Sequence, residues 1–390
     1  MTIKTSYVSK SVEKLKPSGI RKFFDLAAGM EGVISLGVGE PDFVTSWTVR
    51  EAAILSLEQG YTSYTANAGL FDLRKRIADY MNSRYQLSYD PSDEIIVTVG
   101  ASQALDISLR ALVDQGDEVI IVEPGFVSYV PLVELAGGVA VTVKTRPENG
   151  FNLTAEELEA AITDKTKAIL LCSPNNPTGS VLEKDDLIEL AEVIKRHDLA
   201  VLSDEIYSEL AYDADHVSIA SLEGMRERTI VINGFSKGFA MTGWRLGYIC
   251  APVEIAQALL KIHQYAMMCA STPAQFAAIE ALDKGMEDVT EMKRSYRHRR
   301  HYFVDSLNEI GLECHTPGGA FYAFPSIRKT GLSSEEFAER LLLEEKVAVV
   351  PGNVFGKGGE GFVRCSYASS MEQLQEAVKR LKRFVENHSN

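Results

Sequence analysis

Reactive side chains follow apolar runs in the middle of the chain. Asp204 comes directly after AVLS, Lys237 lies three residues after TIVING, and Arg245 lies eight residues beyond that lysine. A buried aspartate requires a cation or a strong donor, and a guanidinium among apolar neighbours requires an anion such as phosphate or a carboxylate. Each residue also has an ordinary interpretation, because an aspartate at a strand end is often exposed and most lysines are simply solvated.

Two turn segments add polar groups. After EIIVTV, Gly100 leads into Ala101 and Ser102 at the start of a helical pattern. Unpaired backbone N–H groups at that position can cradle a phosphate, and the alternative is an ordinary turn with Ser102 as the helix cap. The segment SPNNPTG, residues 173–179, offers the side-chain amide of Asn176, although most tracts of this composition are only turns.

From residue 94 to about residue 250, short β-branched runs alternate with longer amphipathic segments. This pattern predicts an α/β fold with a mostly parallel central sheet, and runs that are apolar on both faces predict helices on both sides. The runs are EIIVTV (94–99), EVIIVE (118–123), VAVTV (139–143), AILLCS (168–173), AVLSDE (200–205) and TIVING (229–234). Because such sheets bind ligands at the carboxyl ends of their strands, the polar residues above should line one crevice.

The two ends of the chain predict a second, smaller α+β domain. Residues 1–45 contain a short helical stretch and then VISLGVGEPDF. After about residue 280 come a charged helix, the segments GGAFYAFP, LLLEEKVAVVPG and GFVRCSYA, and a final amphipathic helix from Met371 to about Glu386. We therefore expect a large domain at residues 46–285 and a small domain formed by residues 1–45 with 286–390.

The charge balance argues against two classes of partner. The 390 residues include 40 Lys+Arg and 54 Asp+Glu, which gives a net charge of −14. A chain this acidic is repelled by phosphate backbones, so we expect no nucleic-acid binding and no polybasic membrane contact. We interpret the most basic run, KRSYRHRRHYF at 293–303, as one solvated helix face.

Cysteine and histidine positions argue against metal and disulfide frameworks. The five cysteines are odd in number and far apart, with no CxxC pair, which favours a reducing compartment. His298 and His301 share helical spacing but are surrounded by arginines, so we expect no metal. The first twenty residues carry no apolar segment, and we therefore expect no secretory signal and a cytoplasmic protein.

Taken together, a lysine, an aspartate, an arginine, a tyrosine, an asparagine and a phosphate cradle at several strand ends are what pyridoxal 5′-phosphate requires. The sequence resembles the fold type I pyridoxal-phosphate enzymes, in particular the class I/II aminotransferases and their bacterial and archaeal aspartate, aromatic and alanine subgroup. The motifs that carry the resemblance occur in the family's order: LGVGEPDF, YTANAG, TVGASQAL, EPGFVSY, SPNNPTG, SDEIY, NGFSKGFAMTGWRLGY, GGAFYAFP, VVPGNVFG and FVRCSYA. The resemblance implies a three-layer sandwich around the mostly parallel sheet, pyridoxal 5′-phosphate as cofactor, and a homodimer with shared active sites.

For the cofactor ring, the resemblance implies that Lys237 forms the covalent Schiff-base link and later shuttles a proton on the substrate. Asp204 would pair with the pyridine N–H and keep the ring protonated. Tyr207 and Asn176 would hydrogen-bond the phenolic oxygen of the ring, and Phe126 would stack on the ring. Lys237, Asp204 and Tyr207 are thus the expected catalytic residues.

For the phosphate and the substrate, the resemblance implies two further groups. Arg245, Ser236 and the amides of Ala101 and Ser102 would hold the phosphate, while Tyr64 would reach it from the other subunit. The expected substrate-binding residues, of which the arginine would grip the α-carboxylate in a bidentate manner, are Arg364, Gly39 and Asn176.

Three positions depart from the pattern of many relatives. Gly234 stands where many members place a phosphate-binding Ser or Thr, and Phe126 stands where some carry Trp. Ser102 occupies a site where some aspartate-using members present Lys. These departures favour a broad aminotransferase that moves the α-amino group of aromatic, alanine or other neutral L-amino acids to 2-oxoglutarate or another oxo acid by a ping-pong mechanism.

Other function classes have weaker support. A pyridoxal-phosphate lyase of the same fold would use the same lysine, aspartate and arginine and differ only in its substrate pocket. GFSKG, residues 234–238, matches a hydrolase nucleophile elbow with Ser236 as nucleophile, but the glycines that follow argue against the helix that an elbow needs. GKGGEG, residues 356–361, matches a dinucleotide motif but leads into an apparent strand. A transcription regulator with a degenerate aminotransferase domain would carry a basic segment ahead of it, and this chain is acidic.

Overall fold

A computed structural model describes residues 7–17, 19 and 29–388. The largest sheet within these residues has seven strands in the order β2-β8-β7-β6-β5-β3-β4, and we call it the large sheet. Its strands are β2 (Ile95–Thr98), β3 (Glu118–Glu123), β4 (Val139–Lys144), β5 (Thr166–Cys172), β6 (Ala200–Asp204), β7 (Thr229–Gly234) and β8 (Gly247–Cys250). Neighbouring strands are parallel except at β8, which is antiparallel to both β2 and β7. The predicted α/β class with a mostly parallel sheet is confirmed.

Helices cover both faces of the large sheet because its strands are apolar on both sides. Ile169 packs in a cluster with the helix at 184–196, whereas the next residue, Leu170, packs in a cluster with the helices at 100–112 and 253–266. The helices before and among these strands are α1 (Lys10–Lys14), α2 (Trp47–Glu58), α3 (Phe71–Tyr85), α4 (Gly100–Leu112), α5 (Tyr129–Leu135), α6 (Ala155–Ala161) and α7 (Lys184–Arg196). Those that follow are α8 (Val253–Ala266), α9 (Thr272–Lys284), α10 (Met286–Glu309), α11 (Ser334–Glu345) and α12 (Met371–His388).

The C-terminal part packs with a short N-terminal segment. Strand β1 (Ile34–Ser35) pairs in parallel with β10 (Val347–Ala348). Strands β9 (Tyr322–Ala323), β11 (Val350–Pro351) and β12 (Val363–Ser366) form an antiparallel sheet with β12 in the centre. Leu36 shares a hydrophobic cluster with helices α10, α11 and α12. The domain boundaries at 45/46 and 285/286 stay a prediction. A short helix, α1 (Lys10–Lys14), is present within residues 1–45, as the sequence predicts.

Two details differ from the sequence predictions. Strand β8 was missed because its four residues follow a glycine-rich segment that reads as a loop. The basic run 293–303 is not one solvated face, because Tyr296 and Phe303 are buried and Arg300 is only 1% exposed. The Arg300 guanidinium is paired with Asp213 and donates a hydrogen bond to the Pro317 carbonyl, which stabilises the charge at that depth.

The described part of the chain contains neither a membrane-spanning helix nor a cluster of metal-binding side chains. None of its helices is long and apolar enough to cross a membrane. No group of three or more His, Cys, Asp or Glu side chains there is arranged to hold a metal ion.

Candidate active site

A cavity of about 510 Å³ lies at the carboxyl ends of the parallel strands of the large sheet. Every site residue predicted from the sequence lines this cavity except Tyr64. The lining residues are Gly37, Gly39, Glu40, Ala101, Ser102, Leu105, Phe126, Tyr129, Cys172, Asn176, Asp204, Ile206, Tyr207, Ser236, Lys237, Thr242, Gly243, Arg245, Tyr322 and Arg364. Tyr64 is 79% exposed and lies outside the cavity.

Lys237 carries an amine that is unusually easy to deprotonate. Burial lowers its pKa to about 8, with the positive charges of Arg364 and Arg245 acting in the same direction and Glu40 opposing them. Its Nζ donates a hydrogen bond of 2.6 Å to the carbonyl oxygen of Gly39. A neutral amine is a nucleophile and a base, so this lysine is suited to covalent or proton-transfer chemistry near neutral pH.

Asp204 ends strand β6 and is only 4% exposed. The Tyr129 hydroxyl donates to its Oδ2 at 2.7 Å, and the Ile206 N–H donates to its Oδ1 at 3.2 Å. Burial nevertheless raises the pKa of the Asp204 carboxyl to about 6. A cation or an N–H donor within the cavity would therefore stabilise the ionised form of the Asp204 carboxylate.

We expect Asp204→Asn to stabilise the ligand-free protein at pH 8. A carboxyl whose folded-state pKa is raised from 3.8 to about 6 makes the folded state less stable as pH rises through that window. The amide lacks this charge, so the free energy of unfolding should increase by up to about 3 kcal/mol at pH 8, and the gain should shrink as pH falls from 6 towards 4. Urea denaturation at pH 8 and pH 5 measures the effect, with the exposed Asp164→Asn as control. A variant less stable than the parent at pH 8 would contradict this electrostatic account of Asp204.

Arg364 and Asn176 line the cavity as a hydrogen-bonded pair. Arg364 is 3% exposed; its Nη1 donates to Asn176 Oδ1 at 2.9 Å and its Nη2 donates to the Gly37 carbonyl at 2.7 Å. Its buried Nε has no hydrogen-bond partner among the described residues. A buried guanidinium with an unpaired N–H is well suited to bind a carboxylate.

The start of helix α4 and Arg245 lie close together in the cavity, in an arrangement that suits an anion. No side chain caps the first turn of α4, so the N–H groups of Ala101 and Ser102 are free of a cap, and Ser102 is not the helix cap. Gly100 has φ +72°, and a Cβ there would lie 2.7 Å from Arg245 Nη2. A Cβ at Gly247 would likewise lie 2.7 Å from the Ala101 nitrogen. The two glycines thus let the guanidinium, the helix N-terminus and strand β8 approach each other closely.

The packing of strand β8 also explains Gly234. A Cβ at Gly234 would lie 2.9 Å from the Cα of Gly247, which pairs with it across β7 and β8. A serine or threonine at this position would collide with the neighbouring strand. The hydroxyl that many relatives place here is therefore excluded by backbone packing in this chain.

Sequence reasoning missed several lining residues, of which two tyrosines make polar contacts inside the site. The Tyr129 hydroxyl bonds to Asp204, and the Tyr322 hydroxyl lies 2.9 Å from that of Tyr207. Burial raises the pKa of the Tyr207 hydroxyl, which keeps it protonated as a donor. Tyr129 lies three residues after Phe126, across a turn in which its N–H donates to the Phe126 carbonyl oxygen at 3.1 Å. Its place as the last residue of EPGFVSY is the signal that could have identified it.

GFSKG and GKGGEG, the two motifs that suggest other functions, lack the helix that each of those functions requires. The residues after Ser236 form turns and bends, whereas a nucleophile elbow runs into a helix. The GKGGEG segment at 356–361 leads into strand β12. Neither the hydrolase nor the dinucleotide interpretation has structural support.

Comparisons with known proteins give one consistent result. The family described as aminotransferase class I and II matches residues 31–381. The chain is 68% identical to the putative aminotransferase YugH of Bacillus subtilis (strain 168) over 98% of this chain and 99% of that protein. It is 50% identical to an aspartate aminotransferase of Pyrococcus abyssi, covering 97% of this chain and 98% of the relative. A crystal structure of an aromatic aminotransferase from Pyrococcus horikoshii OT3 matches with a TM-score of 0.90 and 48% identity, covering 94% of this chain and 99% of the other.

Proposed function

The chain belongs to the aminotransferase class I and II family, and from that premise we propose that it binds pyridoxal 5′-phosphate and moves the α-amino group of an L-amino acid to a 2-oxo acid. The observation that carries the proposal is Lys237, a partly buried amine whose pKa is lowered to about 8, in one cavity with the buried carboxyl of Asp204. One ligand can satisfy both groups. Its aldehyde reacts with the neutral amine of Lys237, and its ring N–H donates a hydrogen bond to the carboxylate of Asp204.

The residues present fit the cofactor. The uncapped N-terminus of α4 and Arg245 suit a phosphate, the Tyr207 hydroxyl and the Asn176 amide suit the phenolic oxygen, and Asp204 suits the ring nitrogen. When bound, pyridoxal phosphate supplies an aldehyde that exchanges amines and a protonated ring that accepts electrons from the substrate Cα. Lys237 then holds and moves the substrate proton at its Nζ.

The substrate end favours neutral amino acids. The cavity-lining cations are Lys237, Arg245 and Arg364, and the first two are assigned to the cofactor in this proposal. Arg364 is thereby left for the α-carboxylate, and among the described residues of the single chain no lining cation remains for a second carboxylate. Relatives of nearly equal identity are named for aspartate and for aromatic amino acids, so the names alone do not select a substrate.

The test is a screen of single amino acids with the purified, cofactor-loaded protein, following the visible absorbance change of the half-reaction. Aromatic amino acids and alanine should react with a higher kcat/KM than aspartate, and a clear preference for aspartate would refute the neutral-substrate proposal. Borohydride reduction followed by peptide mapping should locate the cofactor on Lys237. Release of pyruvate or ammonia without an oxo-acid acceptor would instead indicate a lyase.

We also propose that the active protein is a homodimer with shared sites. Large hydrophobic side chains in helix α2 and in the segments around it are exposed in the single chain, and association of two copies would bury them. They are Val44, Trp47, Ile54, Leu55, Leu57, Tyr61, Tyr64, Phe71, Tyr265, Met267 and Met268. A second copy would bring Tyr64 to the phosphate cradle. The proposed location is the cytoplasm, which the five unpaired cysteines support.

Mixing two inactive variants tests the shared site. Tyr64→Ala should weaken cofactor binding by about tenfold through loss of a phosphate contact, and Lys237→Ala removes the amine. In a hybrid dimer one site regains both residues, so subunit exchange should return about a quarter of the sites to the parental cofactor affinity. Activity should therefore rise when it is measured at a cofactor concentration well below the dissociation constant of the Tyr64 variant. Sedimentation and differently tagged subunits verify exchange. A monomeric protein, or verified exchange without regained activity, would contradict the proposal.

A further inference from the structure

Tyr322 contacts one residue of the proposed cofactor site and one residue of the proposed substrate site. It lies in strand β9, is 1% exposed, and places its hydroxyl 2.9 Å from the hydroxyl of Tyr207. The face of its ring lies against the guanidinium of Arg364, whose Cζ is 4.4 Å from the ring centroid. One side chain therefore contacts both the residue assigned to the phenolic oxygen of the cofactor and the residue assigned to the substrate carboxylate.

The backbone holds Tyr322 firmly in this position. Strands β9 and β12 are antiparallel, with Tyr322 opposite Ser366 and Ala323 opposite Cys365. Arg364 lies in the same strand β12, so one small sheet carries both the tyrosine and the arginine. The turn at Gly39 limits the space above the ring, because a Cβ there would lie 3.0 Å from the Tyr322 hydroxyl oxygen.

We propose that Tyr322 is a positioning residue that orients the Tyr207 hydroxyl toward the cofactor and the Arg364 guanidinium toward the substrate carboxylate. The inference rests on the proposed function, since the two residues that it positions take their roles from it. It assigns Tyr322 no bond to a reacting atom.

The hydroxyl and the ring of Tyr322 act on different partners. When the Tyr322 hydroxyl donates to the Tyr207 oxygen, the Tyr207 proton is free to point into the cavity as a donor. Without that bond the Tyr207 hydroxyl can rotate among several directions. The ring acts on Arg364 through a cation–π contact, and Phe355 provides a second ring at 5.0 Å from the guanidinium Cζ. Together the two rings restrict the directions in which the arginine presents its N–H groups.

Two substitutions separate these effects. Tyr322→Phe removes only the hydroxyl and keeps the ring against Arg364, whereas Tyr322→Leu removes both. The matched control is Tyr367→Phe, since Tyr367 is also fully buried and its hydroxyl donates to the Ala320 carbonyl at 3.2 Å, but it does not line the cavity. Three quantities are measured. The dissociation constant of pyridoxal phosphate comes from a fluorescence titration of the ligand-free protein, and kcat and KM are determined for the preferred amino acid.

The expected results form a pattern. Tyr322→Phe should weaken cofactor binding by about threefold to tenfold and lower kcat, while KM for the amino acid stays within about twofold of the parent. Tyr322→Leu should in addition raise KM by about tenfold or more. Tyr367→Phe should leave all three quantities within about twofold of the parent, because its hydroxyl contacts neither half of the site.

Two results would contradict the proposal. If Tyr322→Phe binds the cofactor as the parent does, the hydroxyl does not position Tyr207. If Tyr322→Phe raises KM as much as Tyr322→Leu, the ring does not support Arg364 independently. If Tyr322→Leu does not fold, the phenylalanine variant and its control still decide the role of the hydroxyl. Failure of the proposed function is separate, since the parent protein would then neither bind pyridoxal phosphate nor transfer an amino group.

Discussion

Replacing Lys237 with alanine is expected to lower the rate of amino-group transfer by about 10³-fold or more, because both the proposed covalent attachment point and the proposed proton carrier are lost. With a pKa of about 8, half of the Lys237 amine is neutral at pH 8. An ordinary lysine with a pKa near 10.4 is neutral there in only about 0.4% of molecules. The measurement is the single-turnover rate of the half-reaction with the preferred amino acid.

The control for this variant is Lys184→Ala, which changes an exposed lysine at the start of helix α7. It should transfer amino groups at the parental rate. A small primary amine added to the Lys237→Ala variant should restore part of the lost rate, since it can carry the proton from solution into the cavity. A Lys237→Ala variant within tenfold of the parent would show that another group carries the proton.

Replacing Arg364 with alanine is expected to lower kcat/KM for the amino acid by about 10²- to 10³-fold, with most of the change in KM. The substitution removes the two charge-assisted hydrogen bonds that we propose between Arg364 and the substrate carboxylate. It also leaves Asn176 Oδ1 and the Gly37 carbonyl without the donors they now have. Thermal unfolding of the ligand-free variant should therefore be recorded beside the kinetics, so that a loss of stability is not mistaken for a loss of binding.

Arg364→Lys gives the sharper test of geometry. Lysine keeps the charge but not the planar pair of donors, so we expect an intermediate loss of about tenfold in kcat/KM. The control is Arg328→Ala, because Arg328 also lies over an aromatic ring, that of Phe362 at 5.1 Å, but is exposed and outside the cavity. If the lysine variant matched the parent, bidentate recognition of the carboxylate by Arg364 would be wrong.

The sheet and the gathering of the site were predictable because each depends on a local pattern. The apolar runs TIVING and EVIIVE form strands whose first and last residues are those predicted from the sequence. The polar residues at their ends lie together because the carboxyl ends of parallel strands share one edge of a sheet. Asp204 and Lys237 thus followed from strand prediction alone, whereas their assigned chemistry followed from the resemblance.

Other features depend on contacts between distant segments, which no local pattern encodes. Strand β8 is short and buried, and it is stabilised by antiparallel backbone pairing with β2 on one side and β7 on the other. Arg300 is buried because Asp213, far away in sequence, meets it. Tyr322 belongs to a motif that the sequence made visible, but its double contact with Tyr207 and Arg364 appears only when the small sheet meets the large one.

The contact between Arg364 and the Gly37 carbonyl, which joins residues 327 positions apart, has a consequence for the order in which the protein is made. A ribosome delivers the N-terminal segment first and the arginine near the end of synthesis. The residues of the proposed phosphate cradle that lie together within one chain fall between Gly100 and Gly247, and they emerge well before the chain is complete. Long-range contacts form slowly because the intervening chain must be closed into a loop. We therefore expect the nascent protein to form the proposed anion-binding cradle before the contact between Arg364 and Gly37.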